Sequence, residues 1–341
     1  MTKTIKKLTA LLFSATILIL LGGCSSTEII DSPQEPAKKG KTITLSLSAP
    51  ENASTRADAD HQLRYVAKLV EGDLAGQDIE VKERQESIVS NDDDATITFV
   101  VEEGDYTIIL FADYIPSSSA KDNNNCYPDS YYDTHSNALP QIVSINKFEI
   151  NNDNLDCFGK VIKVTKGEEE VVENVTLFRL VSKIRFISTT QLADNQEIDN
   201  ISYTRISYHK TMNIESASQN SGNGAGIEDI DTQYTAIKSS NFLNPSNSEN
   251  ELFFFYTFAN KSGDKACLGQ VDFTINFKDG SSKERKIISE AIPAKRNSIT
   301  SVQSDFLSPE KKATGNIILN LSTPNNWEDN VSTDGKASWE K

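Results

Sequence analysis

The chain has 341 residues, with 49 acidic against 34 basic side chains and a net charge of −15. A protein this acidic, with no basic cluster, is excluded as a nucleic-acid binder, because phosphates need Lys and Arg. Its length suggests two domains of about 150 residues each.

The first 23 residues carry Lys3, Lys6 and Lys7 and then an apolar run from Leu8 to Leu21, broken only by Thr9, Ser14 and Thr16. That is the layout of a secretory signal. The run is shorter than the roughly 20 apolar residues a membrane-spanning helix needs. It ends in Leu21-Gly22-Gly23-Cys24, which matches a bacterial lipoprotein box. The implied chemistry is a diacylglycerol thioether on Cys24 Sγ, cleavage after Gly23 and acylation of the new amine. Two or three acyl chains give stable anchoring. The plainer alternative is an ordinary signal peptide with an unrelated Cys. Ser25 to Lys41, with Pro33 and Pro36, is a polar tether.

Thr42 to Ser48 alternates strictly, placing Ile43, Leu45 and Leu47 on one strand face. Pro50 stops this strand, and Asn52 to Asp60 is polar. Strands follow at residues 63–70, 96–101 and 106–112, the last two joined through Glu102 to Asp105 as a hairpin. Ser117 to Ser136 is a long loop with Tyr127, Tyr131 and Tyr132. Tyrosines on such a loop offer large contact area at low entropic cost, which suits a sugar or protein ligand. The alternative is that these rings fold back over a sheet. Residues 142–150 and 158–164 have strand character. Val172 to Phe186 exceeds the usual 3–10 residues of one strand, so it serves two sheets, with a domain boundary near Leu180.

In the second half, residues 201–208 form a strand and 216–248 a polar loop with short structured pieces. Leu252 to Phe258 is apolar on both faces, as a central strand requires. Val271 to Phe277 turns through Lys278 to Ser281 into residues 285–288, a second hairpin. Residues 299–307 and 316–321 complete the set. Short strands separated by turns, without long helical periodicity, predict an all-β chain of tandem β-sandwiches.

Motifs for catalysis are missing. His61, His135 and His209 sit in no H-E-x-x-H, and there is no G-x-S-x-G, P-loop or G-x-G-x-x-G. Gly222 to Gly226 lacks a strand-to-helix frame and reads as a flexible loop. The oxygen-rich stretches Asn91–Asp94 and Asn151–Asp156 invite calcium, yet Asn and Asp are equally the residues of tight turns. Beyond Cys24, either Cys126 and Cys157 bridge a loop or Cys126, Cys157 and Cys267 all remain thiols. No catalytic, cofactor-binding or metal-ligating residue is expected, and the chain does not read as an enzyme.

Several segments together resemble the fimbrillin-like surface lipoproteins of Bacteroidales, the subunits of type V pili. They are the lipobox and tether; Ser54-Thr55-Arg56-Ala57-Asp58, similar to a trypsin-type processing site; and Gly104-Asp105-Tyr106-Thr107 with Leu110 to Tyr114. Leu177 to Phe186, Ile292 to Val302 with its Arg296-Asn297 pair, and Trp327 complete them. The resemblance implies a signal peptide (1–23), a lipidated tether (24–41) and two transthyretin-like β-sandwich domains (42–180 and 181–341). Residues 42–56 would be a removable pro-strand. It also implies an outer-membrane, cell-surface location through lipid on Cys24, cleavage between Arg56 and Ala57, and strand exchange with other fimbrial subunits. After Leu321 the chain turns polar and shows no second apolar strand, which departs from a stalk subunit and leaves a tip or anchor role. The competing reading is a non-polymerising surface lipoprotein that binds glycans or host proteins through its loops.

Overall fold

The computed structural model describes residues 42–50, 60–74, 79–89, 94–135, 141–144, 149–193, 196–218, 230–233, 237–239, 250–260, 267–268, 271–287, 292–308, 317–322 and 336–337. The signal segment, Cys24 and its tether, Asn91 to Asp93, Arg56, Ala57 and the Gly222–Gly226 stretch lie outside the described residues. The first strands are β1 (Thr42–Ser48), β2 (His61–Glu71), β3 (Val81–Val89), β4 (Ala95–Val100) and β5 (Gly104–Pro116). Next come β6 (Tyr132–Asp133), β7 (Gln141–Ser144), β8 (Cys157–Lys166), β9 (Val171–Thr176), β10 (Phe178–Arg179) and β11 (Val181–Ser188). Then β12 (Ile198–His209), β13 (Thr211–Asn213), the short helix α1 (Ile214–Ser218), β14 (Ile230–Gln233), β15 (Ile237–Ser239) and β16 (Glu251–Phe258) follow. Last are β17 (Cys267–Leu268), β18 (Val271–Phe277), β19 (Ser282–Ile287), β20 (Ile292–Pro293), β21 (Ile299–Ser304), β22 (Ile317–Ser322) and β23 (Lys336–Ala337). The all-β expectation holds.

Two sheet pairs account for most of the strands. In the first, the sheet β4-β1-β9 faces the sheet β10-β8-β5-β2-β3. Between them lies one apolar cluster that includes Leu45, Ile97, Phe99, Tyr65, Leu110, Phe158 and Val175. β1 and β4 bury alternate side chains only, because their outer face meets water. In the second pair, β16-β11-β21-β22-β23 faces β14-β12-β18-β19. Phe186, Phe253, Phe273 and Phe306 form its aromatic centre, with Phe186 stacked on Phe253 at 4.4 Å. A third cluster joins Ile109 and Phe111 of β5 to Tyr132, Leu180, Ile214, Phe254 and Phe258. It explains why β5 is buried on both faces. Gly159 sits where this packing is tightest. A Cβ there would come within 3.0 Å of Leu180 Cδ1 and 3.2 Å of Leu110 O.

Several sequence expectations change in detail. β4 and β5 are not a hairpin: β4 pairs with β1, whereas β5 pairs with β2 and β8. The Glu102–Asp105 link carries the chain from one sheet to the other, because the half-exposed β4 and the doubly buried β5 need different layers. The 172–186 stretch divides further than expected, into β9, β10 and β11, each in a different sheet. β3 was not anticipated. Its sequence VKERQESIV is polar, and it sits at a sheet edge against β2. The β18–β19 hairpin forms as expected, with Gly280 supplying the left-handed φ of +83° that its turn needs.

His209 in β12 is 3% exposed, and neither ring nitrogen has a hydrogen-bond partner among the described residues. Burial pushes its imidazole down from an ordinary 6.5 to about 4. The unfolded chain takes up a proton near pH 6.5 and the folded chain does so only near 4. Stability is therefore lost as pH falls through that window. His209→Phe should remove roughly 3 kcal/mol of this acid sensitivity, at about 1.36 kcal/mol per pH unit. Urea midpoints at pH 7 and pH 4.5 measure it. An equal drop in the variant and the parent would show that His209 is not the titrating group.

Candidate functional site

β1 is the middle strand of its sheet. It runs antiparallel to β4, with Ile43 opposite Phe99, Leu45 opposite Ile97 and Leu47 opposite Ala95. On its other edge it runs parallel to β9, from Ile43 opposite Val171 to Ser48 opposite Thr176. Ile43, Leu45 and Leu47 are fully buried. The outward side chains add polar rungs: Thr44 Oγ1 lies 3.4 Å from Thr98 Oγ1, and Ser48 Oγ lies 3.1 Å from Thr176 Oγ1. Without β1, both β4 and β9 would present unpaired backbone along a groove floored by the first core. Such an edge recruits another strand. The chain leaving β1 reaches Pro50 and then the segment holding Arg56 and Ala57, which lies outside the described residues.

The tyrosine loop is anchored from below. Arg64 of β2, fully buried, makes a two-pronged ion pair with Asp113 of β5, with Nε–Oδ1 2.9 Å and Nη2–Oδ2 2.8 Å. The same Nη2 donates to Asp129 Oδ1 at 2.9 Å, and Nη1 donates to Tyr127 O at 3.1 Å. Burial opposes the Arg64 charge most strongly, but Asp113, Asp129 and Glu86 together outweigh it and raise the guanidinium pKa, so Arg64 stays charged. Asp129 in turn accepts from Thr134 N at 2.7 Å, Thr134 Oγ1 at 2.6 Å and His135 Nδ1 at 2.8 Å. Burial acts to raise the Asp129 carboxyl, yet these bonds hold it below its ordinary value. From β3, Arg84 bonds both Glu86 and Thr134, and Glu86 Oε2 accepts Tyr127 N at 2.8 Å.

The three loop tyrosines have different fates. Tyr132 is 3% exposed and packs between Phe111 and Phe258, with its hydroxyl on Leu155 O. It is core and offers nothing to a ligand. Tyr127 and Tyr131 are half-buried; Tyr127 lies under Lys121 Nζ at 5.3 Å, and the Tyr131 hydroxyl is 3.4 Å from His61 Nε2. Cys126 and Cys157 are both free thiols. The Asn151–Asp156 stretch is a capped turn. Asn152 closes a 3₁₀ turn over Asp153–Leu155, Asp153 is held by Tyr256 and Lys183, and Asp156 by Arg179. Sequence spacing did not anticipate one convergence: ligand atoms of Glu86, Cys126 and His135 lie within 4.8 Å of one another. Glu86 lies 40 residues before Cys126, and Cys126 and His135, nine apart, match no short metal-ligand spacing.

The Arg296-Asn297 pair clasps the crossing segment. Asn297, at φ +60°, donates its N–H to Val181 O, and its Oδ1 accepts from Arg179 Nη1 at 2.9 Å. Arg296 stacks on Phe178 at 3.9 Å. Arg179 is itself fully buried on Asp156 at 2.7 Å.

Removing Arg64 alone would leave the buried Asp113 carboxyl, which burial already pushes up, without its partner, at a cost of about 3–5 kcal/mol. Arg64→Met should lower stability by that amount and make the loop more sensitive to chymotrypsin, whereas Arg64→Met with Asp113→Leu should recover most of the loss. Equal melting of the single variant and the parent would refute this role.

Residues 34–337 match the model of a family described as a family of unknown function, DUF6562. No curated protein sequence matches the chain. Among solved structures, it is similar to a protein of Bacteroides thetaiotaomicron described as a candidate polysaccharide binding protein (DUF1812), with 11% identity, 85% of this chain and 98% of that chain covered, and a TM-score of 0.45. It is also similar to the tip fimbrial protein Mfa3 of Porphyromonas gingivalis, with 12% identity, coverage of 82% and 98%, and a TM-score of 0.40. A fimbrial assembly protein of Parabacteroides distasonis gives 12% identity, coverage of 88% and 98%, and a TM-score of 0.40.

Proposed function

The chain belongs to the DUF6562 family of unknown function, and we propose that it is a cell-surface fimbrial subunit of the type V kind. In this reading Cys24 carries the lipid anchor in the outer membrane, and cleavage between Arg56 and Ala57 frees β1 for exchange with another subunit's strand. The observation that carries the reading is β1 itself: an amphipathic central strand, paired on both edges, followed at once by a polar segment with a trypsin-type site. The domain division that goes with it is 42–180 and 181–341, both transthyretin-like, and the chemistry it uses is binding and not catalysis. A second reading, recognition of a glycan or a host protein without polymerisation, is favoured by the seating of Tyr127 on the Arg64 network, with Tyr131 stacked beside His61.

Ile43, Leu45 and Leu47 each contribute roughly 1.5–3 kcal/mol by burial. Together they are a large part of a domain's net stability of about 5–15 kcal/mol. Leu45→Asp should therefore unfold or severely destabilise the uncut protein, because it places an unpaired charge in the core. Limited trypsin treatment should cut first after Arg56, and the cut protein should form multimers on size-exclusion chromatography that the uncut protein does not form. A Leu45→Asp variant that melts like the parent would remove β1 from the mechanism. Multimers absent after clean cutting at Arg56 would favour the second reading.

The anchor is tested separately. Cys24→Ala should abolish labelling by radioactive palmitate and release the protein from membranes, since the acyl chains supply the affinity. Undiminished labelling of that variant would assign the lipid to another residue.

A further inference from the structure

We propose that Glu86, Cys126 and His135 bind one divalent transition-metal ion, with zinc favoured by the ligand chemistry, and that the ion closes the tyrosine loop onto β3. A ligand atom from each residue already lies within 4.8 Å of the other two. Carboxylate, thiolate and imidazole form a mixed set suited to zinc, which needs three such ligands and accepts water as the fourth. Magnesium and calcium prefer oxygen alone. The supporting shell is built. The His135 Nδ1 bond to Asp129 fixes the ring and leaves Nε2 to ligate, and Asp129 is held by Arg64 and Thr134. Carboxylate–histidine pairs of this kind orient metal-bound imidazoles in general. Glu86 is buried; its Oε1 accepts both Nε and Nη2 of Arg84, whereas Oε2 accepts only the Tyr127 N–H and keeps a further lone pair for the ion.

The cations that face the ion are Arg84, bonded to Glu86, with Arg64, Lys68 and Lys121 behind it; the carboxylates of Glu86, Asp122, Asp129 and Asp133 lie around the same site and oppose them. Burial, Glu86 and Asp122 push the Cys126 thiol up, with Arg84 acting the other way, so the metal-free residue carries its proton. Binding forms the sulfur–metal bond and releases that proton to solvent, with no change of oxidation state. Cys126 and His135 bracket Tyr127 to Thr134, so a single ion would fasten both ends of the loop to Glu86. This site shares no residue with β1 and stands whether or not strand exchange occurs.

The test uses the protein purified from cell envelopes in detergent, stripped with a chelator and titrated with cobalt(II) chloride. We expect one ion per chain, a thiolate-to-cobalt charge-transfer band in the near ultraviolet, and displacement of cobalt by zinc chloride. Cys126→Ser should abolish the band, His135→Ala should weaken binding at least tenfold, and Asp129→Asn should weaken it about 10–100-fold. Zinc should also protect the loop from chymotrypsin in the parent and not in Cys126→Ser. Both Cys126 and His135 are partly exposed, so melting of the chelated variants like the chelated parent confirms that they fold. A missing band, a band that survives in Cys126→Ser, or cobalt binding unchanged in His135→Ala would overturn the proposal.

Discussion

A strand in the middle of a sheet must satisfy hydrogen-bond ladders on both edges at once, and this chain meets that demand in the same way twice. β1 has an antiparallel neighbour, β4, and a parallel neighbour, β9. β11 likewise has antiparallel β16 and parallel β21. In each case the parallel partner arrives from far along the chain, since parallel pairing cannot be closed by a short turn. The first sheet pair is thus completed by a strand near the start of the chain and the second by β11 at the crossing. The difference lies in what holds each one. β11 is tied covalently at both ends between packed elements, and Asn297 and Ser298 bond its backbone. β1 is held by its two ladders and by Ile43, Leu45 and Leu47, which are fully buried in the first core.

Two fully buried ion pairs mark the places where geometry is fixed. Arg179 with Asp156 sits where the chain changes sheets, and Arg64 with Asp113 sits under the tyrosine loop. Burying such pairs rarely adds net stability, because desolvation costs about as much as the attraction returns. Their effect here is directional. Each guanidinium has donors left after its carboxylate is served, and these reach Asn297 in one case and Asp129 with the Tyr127 carbonyl in the other. The polar loop is thereby held by the core while donating to it only Tyr132 and the partly buried Tyr131.

Much of this was legible in the sequence wherever one face of a strand is wet. The alternation in Thr42 to Ser48 and Val271 to Phe277 located β1 and β18 within a residue; the doubly apolar Leu252 to Phe258 is fully buried as read, but as the edge strand β16 beside β11 and not a central one, its faces being covered by two apolar clusters. Pairing partners were less visible. Glu102 to Asp105 has the length and composition of a hairpin turn, yet β4 and β5 belong to different layers, a choice made by the burial of β5 on its second face. β3 escaped notice because an edge strand with little buried surface needs no apolar pattern. Tyr132 could not be told from Tyr127 and Tyr131 by its neighbours in sequence; Phe111 and Phe258, which enclose it, lie in other strands. The Arg296-Asn297 pair carried a family likeness without a reason. Its reason is the left-handed turn at Asn297 and the stacking of Arg296 on Phe178.

The mixed pairing of β1 also fixes a direction. Any segment that fills the same slot must run the same way, antiparallel to β4 and parallel to β9; reversed, it would satisfy neither ladder as built. If another subunit's strand takes that slot, as proposed, each junction is a head-to-tail contact between unlike surfaces. Contacts of that kind do not close on themselves unless the rotation happens to complete a ring, and otherwise continue as an open helical filament with two chemically different ends.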